Sequence, residues 1–120
     1  MTDLITRLSK LDAPDREVDG EIWRYLMSGE PRGVLHGPIP ELTAYIDAAI
    51  ALAERVLLGW TFEHIGQDYI RARGLDNDVM PVGWTVEISD GAQTIQGQAP
   101  TLPLAICIAI LRAKEASNGQ

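Results

Sequence analysis

The chain of 120 residues contains a single cysteine, Cys107, and only ten basic residues against 17 acidic ones. One cysteine cannot form a disulfide within the chain, so the fold is not a disulfide scaffold and a reducing cytoplasm is the expected compartment. The basic residues form no block or stripe. Because binding to nucleic acid depends largely on clustered cationic side chains, we expect no nucleic acid partner.

Long apolar runs and targeting signals are missing too. The longest apolar run, Leu102–Leu111, has roughly half of the residues that a membrane-spanning helix needs. The first residues mix charged and apolar side chains, which is not the pattern of a secretory signal. The net charge of −7 is spread over both halves of the chain. Mimicry of nucleic acid would need clustered charge, so the acidity is interpreted as keeping a small domain soluble. We expect no membrane partner.

The sequence patterns that mark common catalytic, metal and phosphate sites are absent. No glycine-rich phosphate loop is present, and neither His36 nor His64 has a second ligand at metal-binding spacing. Residues 76–78 begin like a calcium loop, but the glycine and distal glutamate of that motif do not follow. Cys107 lies in an apolar segment without a basic neighbour, which is typical of a buried cysteine. We therefore expect no metal, no cofactor and no enzymatic activity.

Helices are predicted in the first half of the chain. Apolar residues have helical spacing over residues 4–26, as a short helix and a longer one or as one helix broken near Asp12. Asp12 is the expected cap of the longer helix, since a proline and an acid follow it in the first turn. A further helix is predicted over Pro40–Leu58, with Gly59 as the left-handed residue that ends it. An exposed acidic face is expected on the longer helix, formed by Asp15, Glu17, Asp19 and Glu21.

A first hairpin is predicted to follow. Residues 60–65 alternate in polarity, Gly66-Gln67 suits a two-residue turn, and residues 68–73 return as a second strand. Residues 74–82 are predicted to form a loop.

A second hairpin is predicted near the C-terminal end. Its apolar face is formed by Trp84, Val86 and Ile88. A two-residue turn at 90–91 places Val86 opposite Ile95 and Trp84 opposite Gly97. In this register the indole lies across a residue without a side chain.

A strongly apolar helix completes the pattern. Thr101 is the expected cap, Pro103 falls in the first turn, and Arg112 and Lys114 are expected in the last turn. Residues 102–111 are apolar all round, so the helix is buried on more than one side. It packs either between the sheet and another helix or against a second subunit. The second possibility predicts a homo-oligomer.

Together these elements predict one α+β domain over residues 1–120. It consists of an antiparallel sheet of three or four strands, N-terminal and middle helices, and a buried C-terminal helix.

Four segments also stand out together: Leu8 to Ile22, Tyr45 to Ile50, Gly59-Trp60, and Ala99 to Leu111. They resemble the phage ABA sandwich domain, and the likeness covers most of the chain by architecture. The resemblance implies helices on both sides of a central sheet, an α-β-α sandwich. It also implies a small protein of a tailed phage or prophage, located in the cytoplasm of the bacterial host cell. It brings no catalytic residues.

Five residues form the candidate contact site: Arg32, His36, Tyr69, Arg71 and Arg73. The last three alternate and would share one face of a strand, while the first two lie in the glycine- and proline-rich segment 28–40. An aromatic ring beside paired guanidinium groups is suited to binding a phosphate-bearing nucleotide. The same strand face also suits ion pairing with Glu63 or Glu87.

Two functions follow as expectations. The first is a non-enzymatic phage or prophage accessory protein that acts by association with itself or with a phage or host protein. The alternative is a small-molecule binding protein that takes up a nucleotide signal and thereby counteracts the antiviral defence of the host. The apolar final helix motivates the first function, and the residues Tyr69, Arg71 and Arg73 motivate the alternative.

Overall fold

The computed structural model describes residues 2–27, 38–71 and 79–118. The elements, in chain order, are the helices α1 (Thr2–Ser9), α2 (Arg16–Leu26) and α3 (Ile46–Val56), the strands β1 (Thr61–Arg71), β2 (Val79–Ser89) and β3 (Thr94–Ala99), and the helix α4 (Leu102–Asn118). The strands form one antiparallel sheet in the order β1-β2-β3. This confirms the α+β class, the antiparallel sheet and the C-terminal helix that packs on it. None of the described helices combines the length and the apolar character needed to cross a membrane.

The helix α4 lies at the centre of the domain. One side packs on β2 and β3, and other sides contact α1 and α3, while α2 packs on α1. Residues 104–111 are at most 1% exposed. The helix is therefore buried between the sheet and other helices of its own chain, and its apolar surface needs no second subunit for burial.

This packing also sets the order of the layers. The helices α1 and α3 pack on α4, so among the described residues α4 lies between these helices and the sheet. The opposite face of the sheet carries Thr94, Gln96 and Gln98, which are exposed. Among the described residues this polar face is in contact with solvent.

The cap of α2 is Asp15, three residues later than the predicted Asp12. Its Oδ1 accepts hydrogen bonds from the backbone N–H groups of Glu17 (2.9 Å) and Val18 (3.2 Å). The backbone N–H of Asp15 donates to Oγ1 of Thr43 at 2.8 Å. The helix α2 begins here because Asp15 accepts bonds from two N–H groups of the first turn. The bond from Asp15 to Thr43 also joins α2 to the segment before α3.

Asp19 is buried, which contradicts the exposed acidic face predicted for it. Only 1% of the residue is exposed, and its Oδ1 accepts bonds from the backbone N–H (2.8 Å) and the hydroxyl (2.7 Å) of Thr43. Its Oδ2 accepts from Nη1 of Arg16 at 3.1 Å. The charge is thus compensated inside the fold. Glu17 is exposed as expected, and Glu21 pairs with Arg7.

The helix α3 is shorter than the predicted Pro40–Leu58. Residues 42–44 form a separate turn, in which the backbone N–H groups of Ala44 and Tyr45 donate to the carbonyl of Glu41. The bonds from Thr43 to Asp19 hold this turn in place, so the regular helix begins only at Ile46. Gly59 has φ +88°, which confirms the left-handed residue expected after the helix.

The predicted first hairpin is wrong, since β1 runs without a turn through Gly66 and Gln67. Gly66 lies opposite Thr85 of β2. A Cβ at position 66 would lie 2.5 Å from Nε2 of His64, so the glycine makes room for that imidazole and does not form a turn. The strand β2 begins at Val79, inside the predicted loop 74–82, of which residues 74–78 lie outside the described part of the chain.

The apolar face of the second hairpin is confirmed, but its register is shifted. Trp84 lies opposite Ala99, and Gly97 lies opposite Val86. The connection covers residues 90–93 because Oδ1 of Asp90 accepts bonds from the backbone N–H groups of residues 92 and 93. These bonds also hold the pKa of the Asp90 carboxyl below its ordinary value.

Gly97 serves the contact with α4, not with an indole. A Cβ at this position would overlap the carbonyl oxygen of Ala105 and would lie 2.6 Å from the backbone nitrogen of Ala109. The helix therefore approaches β3 more closely than any side chain at position 97 allows.

The ends of α4 differ in part from expectation. The carbonyl of Thr101 accepts the first helical bond, from Ala105 N–H at 3.0 Å, as expected for the cap. The Oγ1 of Thr101 is buried without a hydrogen-bond partner among the described residues. The helix continues to Asn118, so Arg112 and Lys114 do not lie in its last turn. Nη1 of Arg112 donates instead to the carbonyl of Gln96 at 2.9 Å.

Cys107 is expected to be unreactive in the folded protein. Burial raises the pKa of its thiol to about 12, the negative charge of Asp19 adds to the increase, and Sγ donates to the carbonyl of Leu42 at 3.4 Å. An aromatic disulfide reagent at about pH 8 should react on the order of a thousandfold more slowly than with the urea-unfolded chain. Absorbance of the released thiolate measures both rates. Comparable rates would contradict the buried position.

Candidate interaction edge on strand β1

The structure describes only part of the candidate contact site. Arg32, His36 and Arg73 lie outside the described residues. Arg71 ends β1, and only its backbone position is described. Tyr69 lies in β1 with 55% of its surface exposed. The grouping of these five residues therefore remains a prediction.

Tyr69 belongs to a row of side chains along one face of β1. Its hydroxyl donates to Oε1 of Gln67 at 2.7 Å, which shows that the two side chains lie on the same face. Ile65 lies two residues before Gln67 on the same face of the strand, and it is 40% exposed. We name these three residues, Ile65, Gln67 and Tyr69, the β1 stripe.

The β1 stripe lies on the apolar face of the sheet but beyond the cover of α4. Ile65 is the cross-strand partner of Val86, and Gln67 is the partner of Trp84. Val86 is fully buried, whereas its neighbour Ile65 remains well exposed. The core therefore ends between these two strands, and an isoleucine and a tyrosine are left at the margin of the sheet.

The strand β1 also has a free edge. Among the described strands it pairs only with β2, and its residues 61, 63, 64, 65, 67 and 69 are exposed. A strand of 11 residues with one unpaired side presents a row of backbone N–H and C=O groups to a partner. Register shifts occur between Phe62 and His64 and between Asp68 and Tyr69. The segment between them, residues 64–68, has regular pairing and contains Ile65 and Gln67, whereas Tyr69 follows the second shift.

The other face of the sheet is polar and internally hydrogen bonded. The hydroxyl of Thr85 donates to Oδ2 of Asp68 at 2.6 Å and accepts from Nε2 of Gln98 at 3.3 Å. Glu87 accepts from Nε2 of Gln96 at 3.0 Å. Glu87 therefore lies on the face opposite to Tyr69. The ion pairing of Arg71 or Arg73 stays a prediction, since their side chains lie outside the described part of the chain.

The described residues offer no arrangement suited to metal or covalent chemistry. In the ranges 2–27, 38–71 and 79–118, no group of three or more His, Cys, Asp or Glu residues lies close enough to hold a metal ion. The thiol of Cys107 is buried and protonated, as described above.

Comparison with known proteins reveals no relative: no family model, no curated protein and no solved structure matches this chain.

Sequence reasoning identified Tyr69 but missed Ile65 and Gln67. The predicted turn at Gly66-Gln67 divided the strand and hid the stripe. The available signal was the alternation of residues 65, 67 and 69, which continues unbroken across the glycine.

Proposed function

We propose that the protein is a non-enzymatic binding protein that acts by protein–protein association through the free edge of β1, with a second copy of this chain as the partner. The observation that carries the proposal is the β1 stripe, an exposed isoleucine and tyrosine beside an unpaired strand edge. Backbone hydrogen bonds would provide the affinity of such a contact, and the side chains would set its register.

The stripe is complementary to itself. When two β1 strands pair antiparallel about a two-fold axis at Gln67, Ile65 of each copy lies opposite Tyr69 of the other. Directly opposed residues in antiparallel strands have Cβ atoms about 5 Å apart, close enough for an aromatic and a β-branched side chain to pack. Each contact is made twice, as in the isologous interfaces of most homodimers. The two three-stranded sheets would become one sheet of six strands.

The apolar surface of α4 was the first reason to expect a homo-oligomer, but α1, α3 and the sheet of the same chain bury this helix. The exposed β1 stripe beside an unpaired strand edge now carries the expectation of self-association.

The substitution Ile65→Asp is expected to weaken self-association at least about tenfold, because it places two carboxylates in the apolar contact. Sedimentation velocity over a concentration series measures the effect. The matched control is Thr94→Asp, which adds the same charge to the exposed face of the other edge strand. A wild-type chain that stays monomeric at millimolar concentration, or an unchanged dimer in Ile65→Asp, would overturn the proposal.

We also propose that the association serves an accessory role in a tailed phage or prophage. The support for this part is the resemblance of the sequence segments to the phage ABA sandwich domain. The positions of neighbouring genes test it. Neighbours that encode tail and capsid parts support it, and a conserved setting among bacterial metabolic genes opposes it.

Binding of a nucleotide signal is the second candidate function. The exposed ring of Tyr69 favours it, since a base can stack on such a ring. Calorimetric titration with cyclic nucleotides distinguishes the two proposals. Heat that disappears in Tyr69→Ala but persists in Ile65→Asp supports nucleotide binding, and absence of heat removes it.

A further inference from the structure

A cleft lies at the opposite end of β1 from Tyr69, beside the C-terminal end of α3. Its volume is about 250 Å³. The lining is mainly apolar and comes from Ala53, Leu57, Trp60, Phe62 and Ile88, with Glu54 as the charged residue. None of these residues belongs to the β1 stripe.

The local backbone fixes the walls of this cleft. The chain leaves α3 in a turn, in which the backbone N–H of Trp60 donates to the carbonyl of Leu57 at 3.1 Å and Gly59 has φ +88°. Phe62 is the cross-strand partner of Ile88. Both aromatic residues are only partly buried, so their rings form walls that a ligand can reach.

Glu54 gives the cleft its charge. It is exposed, and its side chain forms no hydrogen bond or ion pair with another described residue. A carboxylate beside an apolar, aromatic-walled space is complementary to a cation with an apolar body. The carboxylate attracts the charge, and the apolar walls contact the uncharged body of the ligand.

We propose that this cleft binds a small organic ammonium ion, a primary amine attached to one ring or a short apolar chain. The volume sets the size limit, because drug-sized ligands occupy clefts of about 300–1,000 Å³ and this one is smaller. Glu54 pairs with the ammonium group, and the apolar body lies between Trp60, Phe62 and Leu57. The site is independent of association through β1.

The test uses three probes of matched shape: phenethylammonium, the neutral 2-phenylethanol and the anionic phenylacetate. Chemical shifts of the backbone amides of 15N-labelled full-length protein follow the titration of each probe. We expect phenethylammonium to bind with a Kd on the order of 1 mM, as suits a ligand of this size. The neutral probe should bind about three- to tenfold more weakly, and the anion more weakly still. The shifts should centre on residues 53–62.

Two variants decide the role of the charge. Glu54→Gln should bind phenethylammonium and 2-phenylethanol with equal affinity, because the amide keeps the size of the side chain and removes its charge. Glu115→Gln, at an exposed position of α4 away from the cleft, should bind like the wild type. Absence of binding by all probes at about 20 mM, or a preference for the ammonium that survives Glu54→Gln, would overturn the proposal.

Discussion

Replacement of Gly97 by alanine is expected to lower the free energy of unfolding by about 3 kcal/mol or more. The added Cβ would overlap the carbonyl oxygen of Ala105 and lie 2.6 Å from the backbone nitrogen of Ala109. Both obstacles are backbone atoms of α4, so no rotation of a side chain relieves them. The helix must move away from β3. This shift disturbs the packing of α4 against the sheet and against α1 and α3.

Urea unfolding followed by circular dichroism measures this loss. The matched control is Gly91→Ala, which makes the same chemical change in the hairpin connection, where nothing lies within 4 Å of the added Cβ. Gly91 has φ +94°, so that variant is expected to lose only about 1 kcal/mol from backbone strain. Equal losses in the two variants would show that the close approach of α4 to position 97 is not the cause.

Replacement of Asp19 by alanine is expected to cost about 3 kcal/mol of stability. Asp19 is only 1% exposed, and it accepts two bonds from Thr43 and one from Arg16. Its removal leaves the backbone N–H of Thr43 buried without this acceptor. The loss exceeds the contribution of a surface ion pair because the carboxylate connects α2 to the turn before α3 in a place that water does not reach.

A control variant and a double-mutant cycle identify the cause of the stability loss in Asp19→Ala. Glu17→Ala removes an equal charge from an exposed position of α2 and is expected to change stability by less than about 0.5 kcal/mol. The cycle of Asp19→Ala with Thr43→Val isolates the bond between the two side chains, with an expected coupling of about 1–2 kcal/mol. Additive effects of the two substitutions would contradict the direct bond.

Local patterns predicted those parts of the fold that depend on neighbouring residues. The apolar face of β2, the left-handed Gly59 and the burial of α4 follow from spacing and residue type alone. The errors arose where a distant partner decides the outcome. Asp19 looked like one acid among several on an exposed face, and only Thr43, 24 residues away, shows why it is buried.

Glycines were the main source of error in the sheet. Gly66 and Gly97 were interpreted from their immediate neighbours, as a turn and as a space for Trp84. The structure assigns them to the imidazole of His64 and to the backbone of α4. A glycine signals that something approaches closely, but the sequence does not show what approaches.

The candidate interaction edge was predictable only in part. Tyr69 was identified because it is aromatic and alternates with arginines. Ile65 is exposed because α4 covers Val86 on β2 but not its partner on β1. Only the pairing of the two strands in three dimensions shows this. The cleft beside Glu54 could not be foreseen either, since its walls come from a helix, a turn and two strands.

The central position of α4 has a consequence for how the domain is made. The chain is synthesised from the N-terminal end, so α1, α2, α3 and all three strands are made before residues 102–118. Until then the sheet and the helices have no common surface on which to bury their apolar side chains, since the element that fills the space between them comes after them. Folding of this domain therefore requires α4, and a chain that stops before residue 102 exposes the surfaces that the complete domain hides.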